Sequence, residues 1–150
     1  MKTFIKMIMV AGIFSFLSIM ANAVYAKEEI PPKAVEISFN QRFPGAEHVT
    51  WKKYLDNQYL ASFILNETEI NAFYSKTGAF IESDILLTDS AIPELITDQL
   101  TSIRNYVLYY VLETTDSKNN EYYRVKIKVE NVLYELDFDK NLNMISKTVL

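Results

Sequence analysis

EYYRVKIKVENVLYELDF, Glu121 to Phe138, alternates between apolar and polar residues almost without a break. Tyr123, Val125, Ile127 and Val129 project to one side and Tyr122, Arg124, Lys126 and Lys128 to the other, the period of a half-buried β-strand. A two-residue turn at Glu130-Asn131 folds the stretch into a hairpin. It pairs Val129 with Val132, Ile127 with Tyr134, Val125 with Leu136 and Tyr123 with Phe138 on the inner face. On the outer face Arg124 then opposes Asp137 and Lys126 opposes Glu135, expected as exposed ion pairs that pin the register.

The same plan stands 64 residues earlier. A turn at Asn66-Glu67 sets Leu65 against Thr68, Phe63 against Ile70, Ala61 against Ala72 and Tyr59 against Tyr74. Each hairpin is followed by a turn, Ser75-Lys76-Thr77-Gly78 in one case and Asp139 to Asn143 in the other, and the first of these leads into the apolar run Ala79 to Leu87. Each hairpin is also preceded by a helical pattern. Val35, Phe39 and Phe43 fall at spacing four over Lys33 to Phe43, and the helix must stop at Phe43 because Pro44 follows it. Pro93 opens a second helix in which Ile96, Leu100, Ile103 and Val107 recur at helical spacing, followed by the β-prone run Tyr106 to Leu112. The period changes to two after Gly45, where Val49 and Trp51 alternate with His48 and Thr50. Trp51 is therefore expected largely buried near Phe39 or Phe43, and His48 exposed. The whole reads as an internal duplication whose two units join into one sheet.

The first 26 residues read as a secretory signal. Lys2 and Lys6 precede an apolar stretch, Met7 to Met20, and small residues at Ala21, Ala23 and Ala26 offer a cleavage point, with Ala26 favoured. The apolar run is shorter than the roughly 20 residues of a spanning helix, so contact with the membrane is expected only through the cleaved signal. Removing 26 of 150 residues leaves 124, one domain over 27–150, and moves the formal charge from −4 to −6. An acidic chain without a basic run is poorly suited to nucleic acid. Without cysteine it has neither disulfides nor a lipid-anchoring thiol. Location is expected to be periplasmic or secreted.

RFPGAEHVTW (Arg42–Trp51), the strand YLASFI (Tyr59–Ile64), the turn NAFYSKTG (Asn71–Gly78) and the helix start IPELI (Ile92–Ile96) together resemble the PepSY-like family, also described as β-lactamase-inhibitor-like. The element formed by Phe43, Pro44, Ala46 and Trp51 is intact, whereas the second unit has Asn105-Tyr106-Val107 at the matching corner. The resemblance implies an exported α+β protein of tandem helix-plus-meander repeats, about 31–87 and 88–150. It also implies one curved antiparallel sheet with both helices on one face, and it brings no catalytic residues.

Chemistry is sparse. A single histidine and no cysteine argue against zinc and against a cysteine nucleophile, and no G-x-S-x-G elbow is present. Asp137 to Asn141 echoes the start of a calcium loop but lacks its glycine and its closing glutamate, with Leu142 and Thr148 in those places. Asn66-Glu67-Thr68 fits a glycosylation pattern at an exposed turn. No enzyme, metal or cofactor is expected. The favoured reading is a protein-binding or inhibitor-like module that docks an envelope or secreted protein on the helix-free face. Leu60, Ile64 and Phe73 would form its apolar centre, Tyr54 its extension, and Lys126 and Glu135 its ionic rim. The alternatives are a binder of a small apolar or peptide ligand, with tyrosines lining a cleft, and a structural subunit of an envelope complex.

Overall fold

A computed structural model describes residues 29–55 and 57–150 of the chain. The signal peptide expected over residues 1–26 lies outside them. Helix α1 (Lys33–Arg42) is followed by β1 (Glu47–Tyr54), β2 (Gln58–Leu65), β3 (Thr68–Ser75) and β4 (Phe80–Leu87). A 3₁₀ turn (Asp89–Ala91) leads to α2 (Glu94–Thr101), then to β5 (Tyr106–Asp116), β6 (Glu121–Val129), β7 (Val132–Phe138) and β8 (Met144–Val149). All eight strands form one open antiparallel sheet in chain order.

Both hairpins hold the pairing read from the alternation. Ala61 faces Ala72 and Phe63 faces Ile70 in one; Val125 faces Leu136 and Ile127 faces Tyr134 in the other. Asn66 and Glu67 both adopt positive φ, as a type I′ turn requires. Followed across the sheet, Ala72 lies opposite Ser83, Ser83 opposite Thr115, and Val111 opposite Val125, so the buried residues of both hairpins share one face.

Both helices pack on that face. Neither is long enough to be stable alone, so each is held by what it buries. From α1, Val35 and Phe39 enter a cluster with Ala61, Phe63, Ala72 and Tyr74. The Phe39 ring meets Phe63 at 4.9 Å and Trp51 at 5.2 Å, both edge to face. Trp51 is thus against Phe39 as expected, but only half-buried, because β1 is the outer strand and leaves one side of the indole uncovered. From α2, Ile96 and Leu100 close a second cluster over Val111, Val125, Ile127, Leu136 and Phe138. Arg42 ties α1 to the β5–β6 turn: its guanidinium lies 3.6 Å above the Phe80 ring and donates to Asn119 Oδ1 at 2.7 Å.

Helix ends follow local chemistry. The Phe43 N–H closes α1 on Phe39 O at 2.8 Å, and Gly45 turns the chain at φ +85°. The second helix is shorter than its apolar spacing suggests. Val107 belongs to β5, opposite Lys128, and is 51% exposed. Ser102 caps α2 through Gln99 O and Leu100 O, and Asn105 reverses the backbone at φ +55°, so the fourth position of the stripe falls in a strand.

Two glycines allow a sharp comparison. A Cβ on Gly45 would meet nothing within 4 Å, whereas on Gly78, at φ +89°, it would lie 2.5 Å from the Ala34 carbonyl oxygen at the start of α1. Gly45→Ala should cost about 1–2 kcal/mol from the left-handed backbone alone. Gly78→Ala should cost clearly more, since α1 must also move. Urea denaturation of both variants checks this ranking, and equal losses would contradict it.

Candidate functional site

The helix-free face is made by the other half of each alternation. Tyr54, Leu60, Phe73, Glu82, Asp84, Tyr110, Leu112, Arg124 and Glu135, from β1 to β7, line one hollow of about 220 Å³. At about 4.8 Å per strand, six strand spacings in a flat sheet would cover about 29 Å. One hollow of this size is lined from both ends only because the sheet curls, so the helix-free face is concave.

That curvature decides where the expected site residues lie. Tyr54 stands exposed at the edge, with its ring 5.1 Å from that of Phe73. Phe73 and Ile64 are half-buried. Leu60 is only 8% exposed and forms floor rather than projecting centre, together with Leu112 at 6%. Alternation places Leu60 on the helix-free face, opposite Phe73, but at the bottom of the hollow, where little of it is exposed.

Lys126 and Glu135 are opposite one another in the backbone, as are Arg124 and Asp137. Their side chains, however, are not exposed one-to-one pairs. Lys126 Nζ sits 5.8 Å from the centre of the Tyr110 ring. Glu135 instead approaches Arg124, which is the hub of the face. Arg124 donates from both Nη atoms to the two oxygens of Glu82, at 3.1 and 3.3 Å, and to the Tyr122 hydroxyl. Its Nε lies 3.6 Å from both Glu135 and Asp137, within ion-pair reach but just beyond a hydrogen bond. Burial works against its charge, yet the hydrogen bonds and attraction of Glu82 and the charge of Glu135 outweigh it and hold Arg124 firmly protonated. Asp137 is oriented from the other side by Ser146 Oγ, which donates to it at 2.8 Å.

Asp84 is the unexpected member. It is 6% exposed, accepts a hydrogen bond from Thr114 Oγ1 at 2.7 Å, and lines the hollow. Burial pushes its carboxyl up to about 6, reinforced by the charge of Glu82 and opposed by the Thr114 bond and Arg124. Tyr110 and Tyr122 are raised to about 12, chiefly by burial. Glu82 and Asp84 had a legible signal: in FIESDILL they are two apart on one face of a strand, the period that assigned the other strands.

The remaining candidates are placed elsewhere. His48 is exposed, at a bulge of β1 with φ +54°. Asp139 accepts both the backbone N–H and the side-chain amide of Asn143, which holds it below the usual carboxylate range and shapes the turn into β8. Among the described residues no group of three or more histidines and carboxylates is arranged to hold a metal, and no helix is long and apolar enough to cross a membrane.

No family profile and no curated protein matches the chain. Solved structures do. A BLIP-like protein from Bacteroides fragilis aligns at TM-score 0.67 and 13% identity, covering 87% of this chain and 92% of that one. The fold is BLIP-like. A DUF2874 family protein from Bacteroides ovatus aligns at TM-score 0.66 and 20% identity, over 81% and 89% of the two chains. A candidate periplasmic protein from Bacteroides eggerthii gives TM-score 0.63 at 13% identity, over 81% and 90%. At these identities the likeness establishes the fold alone.

Asp84 supplies a test of this face. Its pKa in the folded chain, about 6, lies above the ordinary 3.8, so the folded state binds the proton more tightly than the unfolded one. Below about pH 4 both states are protonated; stability then falls as pH rises from about 4 to 6 and stays lower above. Asp84→Asn removes that penalty. It should raise stability at pH 8 by about 1–3 kcal/mol, at roughly 1.4 kcal/mol per pKa unit, and change it little at pH 4. Urea denaturation at the two pH values checks this; a variant less stable at both would contradict it.

Proposed function

We propose that the chain is an exported, non-catalytic protein-binding module that docks a partner polypeptide on its concave, helix-free face. In this reading residues 1–26 are the cleaved signal, and residues 27–150 are a single domain of two PepSY-like repeats. The observation that carries the reading is the hollow itself: exposed Tyr54 and half-buried Phe73 beside a charged cluster, open to solvent on the face that the helices leave free. Aromatic anchors bordered by polar groups are the usual make-up of a protein-recognition surface. The size argues in the same direction. At about 220 Å³ the hollow is smaller than the roughly 300–1,000 Å³ of typical small-molecule sites. It suits one or two inserted side chains.

Tyr54 and Phe73 are the anchors in this proposal, Leu60 supports them from below, Glu135 belongs to the lining, and Ile64 and Lys126 lie on the same face outside it. The matching register of the two hairpins and the order helix, four strands, helix, four strands favour the duplication. A periplasmic setting accords with the description of the Bacteroides eggerthii neighbour. The test is capture from an envelope extract by the tagged 27–150 chain, compared with its Tyr54→Ser, Phe73→Ser variant. Capture of one polypeptide near one-to-one by the parent chain, lost in a variant that retains its circular dichroism and cooperative melting, is expected. Undiminished capture by the folded variant would place the site elsewhere, and a co-purifying small molecule in place of a protein would overturn the reading.

A further inference from the structure

We propose that the concave hollow receives a cationic side chain, an arginine or lysine carried on a loop of the partner polypeptide. The inference rests on the docking reading above and specifies the chemistry of the guest.

Charge complementarity selects it. Glu82, Asp84 and Glu135 line the hollow with a single cation, Arg124, and Asp137 stands directly behind that cation. Arg124 is already committed to Glu82, Glu135, Asp137 and Tyr122. An anionic guest would have to take it from those partners while facing three carboxylates. Lys52 and Lys126 share the face but lie outside the lining, Lys52 opposite Leu60 and Lys126 over Tyr110. The hollow is therefore negative.

A second observation points to a ligand. Asp84 is more than nine-tenths buried, one oxygen accepts from Thr114, and among the described residues the other has no hydrogen-bond partner. That other oxygen is not a buried orphan; it keeps access to the hollow, where the N–H donors of a guest can reach it. Tyr54, Leu60, Phe73, Tyr110 and Leu112 supply apolar and aromatic lining around the acids, with Gln58 and Asn71 among them. A long aliphatic stem ending in a cation fits such a lining, with its stem along the rings and its head on the acids.

Occupancy should respond to pH. The groups facing Asp84 are Glu82 on its own strand, Thr114 and Tyr110 on β5, Arg124 on β6 and Glu135 on β7. Proton uptake on Asp84 as pH falls through about 6 removes one of the three lining charges. Affinity for a cation should decline there.

The probe is a library of disulfide-closed nine-residue loops displayed on phage and selected on the immobilised 27–150 chain at pH 7.5. Enrichment of loops with a central arginine or lysine flanked by apolar residues is expected. A selected loop remade with citrulline for arginine should bind about tenfold or more weaker, as when one member of a buried charge pair is neutralised. The chain with Glu135→Gln, or Asp84→Asn, should bind the parent loop severalfold weaker, as should the unaltered chain at pH 5. Enrichment of neutral or acidic loops whose binding is abolished by Tyr54→Ser, Phe73→Ser would overturn the cationic guest and leave the docking face standing. Selected loops indifferent to those two substitutions, or no enrichment at all, would overturn both. Spermidine binding as tightly as the best loop would overturn the polypeptide guest.

Discussion

One guanidinium holds the concave face together. Arg124 reaches from β6 to Glu82 on β4 and to Glu135 and Asp137 on β7. It joins strands that are neighbours in the curled sheet but not all in the hydrogen-bond ladder, because β5 separates β4 from β6. Four half-buried or buried carboxylates around a single cation would repel one another without it. Taking such charges out of water is expensive, and the bidentate contact to Glu82 is the geometry that best offsets the cost. A hydrophobic replacement for the cluster could be equally stable, so its presence speaks for a surface that stays polar under partial burial.

Folding stability comes from the other face. Two separate clusters, one under each helix, bury the aromatic and branched residues of the inner alternation. Each helix supplies only two fully buried residues, Val35 and Phe39 or Ile96 and Leu100, so neither would persist without the sheet beneath it. Sheet and helices thus divide their tasks: the helix-covered side supplies the core, and the opposite side keeps side chains that a core would exclude. Curvature links the two. It brings Tyr54 of the first strand and Glu135 of the seventh to the border of one hollow.

Strand pairing was legible because a period of two leaves little freedom once one face is buried. The alternation from Glu121 to Phe138 gives the second hairpin residue for residue, and Phe43-Pro44-Gly45 gives the end of α1. Alternation assigns a face but carries no information on curvature. Leu60 therefore read as a projecting residue when it is floor, and Lys126 read as the partner of Glu135 when Arg124 takes that role from the neighbouring position. The second helix read too long because Val107 continues a helical spacing by coincidence across the reversal at Asn105. Asp84 could be placed on the helix-free face from FIESDILL. Its burial could not, since that depends on strands more than twenty residues away, through Thr114 and Arg124.

Arg124 neutralises the carboxylates of the concave face. The most direct measurement is the unfolding free energy of Arg124→Met between pH 8 and pH 4. Removing one partner of a buried ion pair should cost about 3–5 kcal/mol near neutrality. The loss should shrink toward pH 4, where the carboxylates left without a counter-charge take up protons. A variant as stable as the parent at pH 7.5, or a loss of constant size across the range, would contradict the claim.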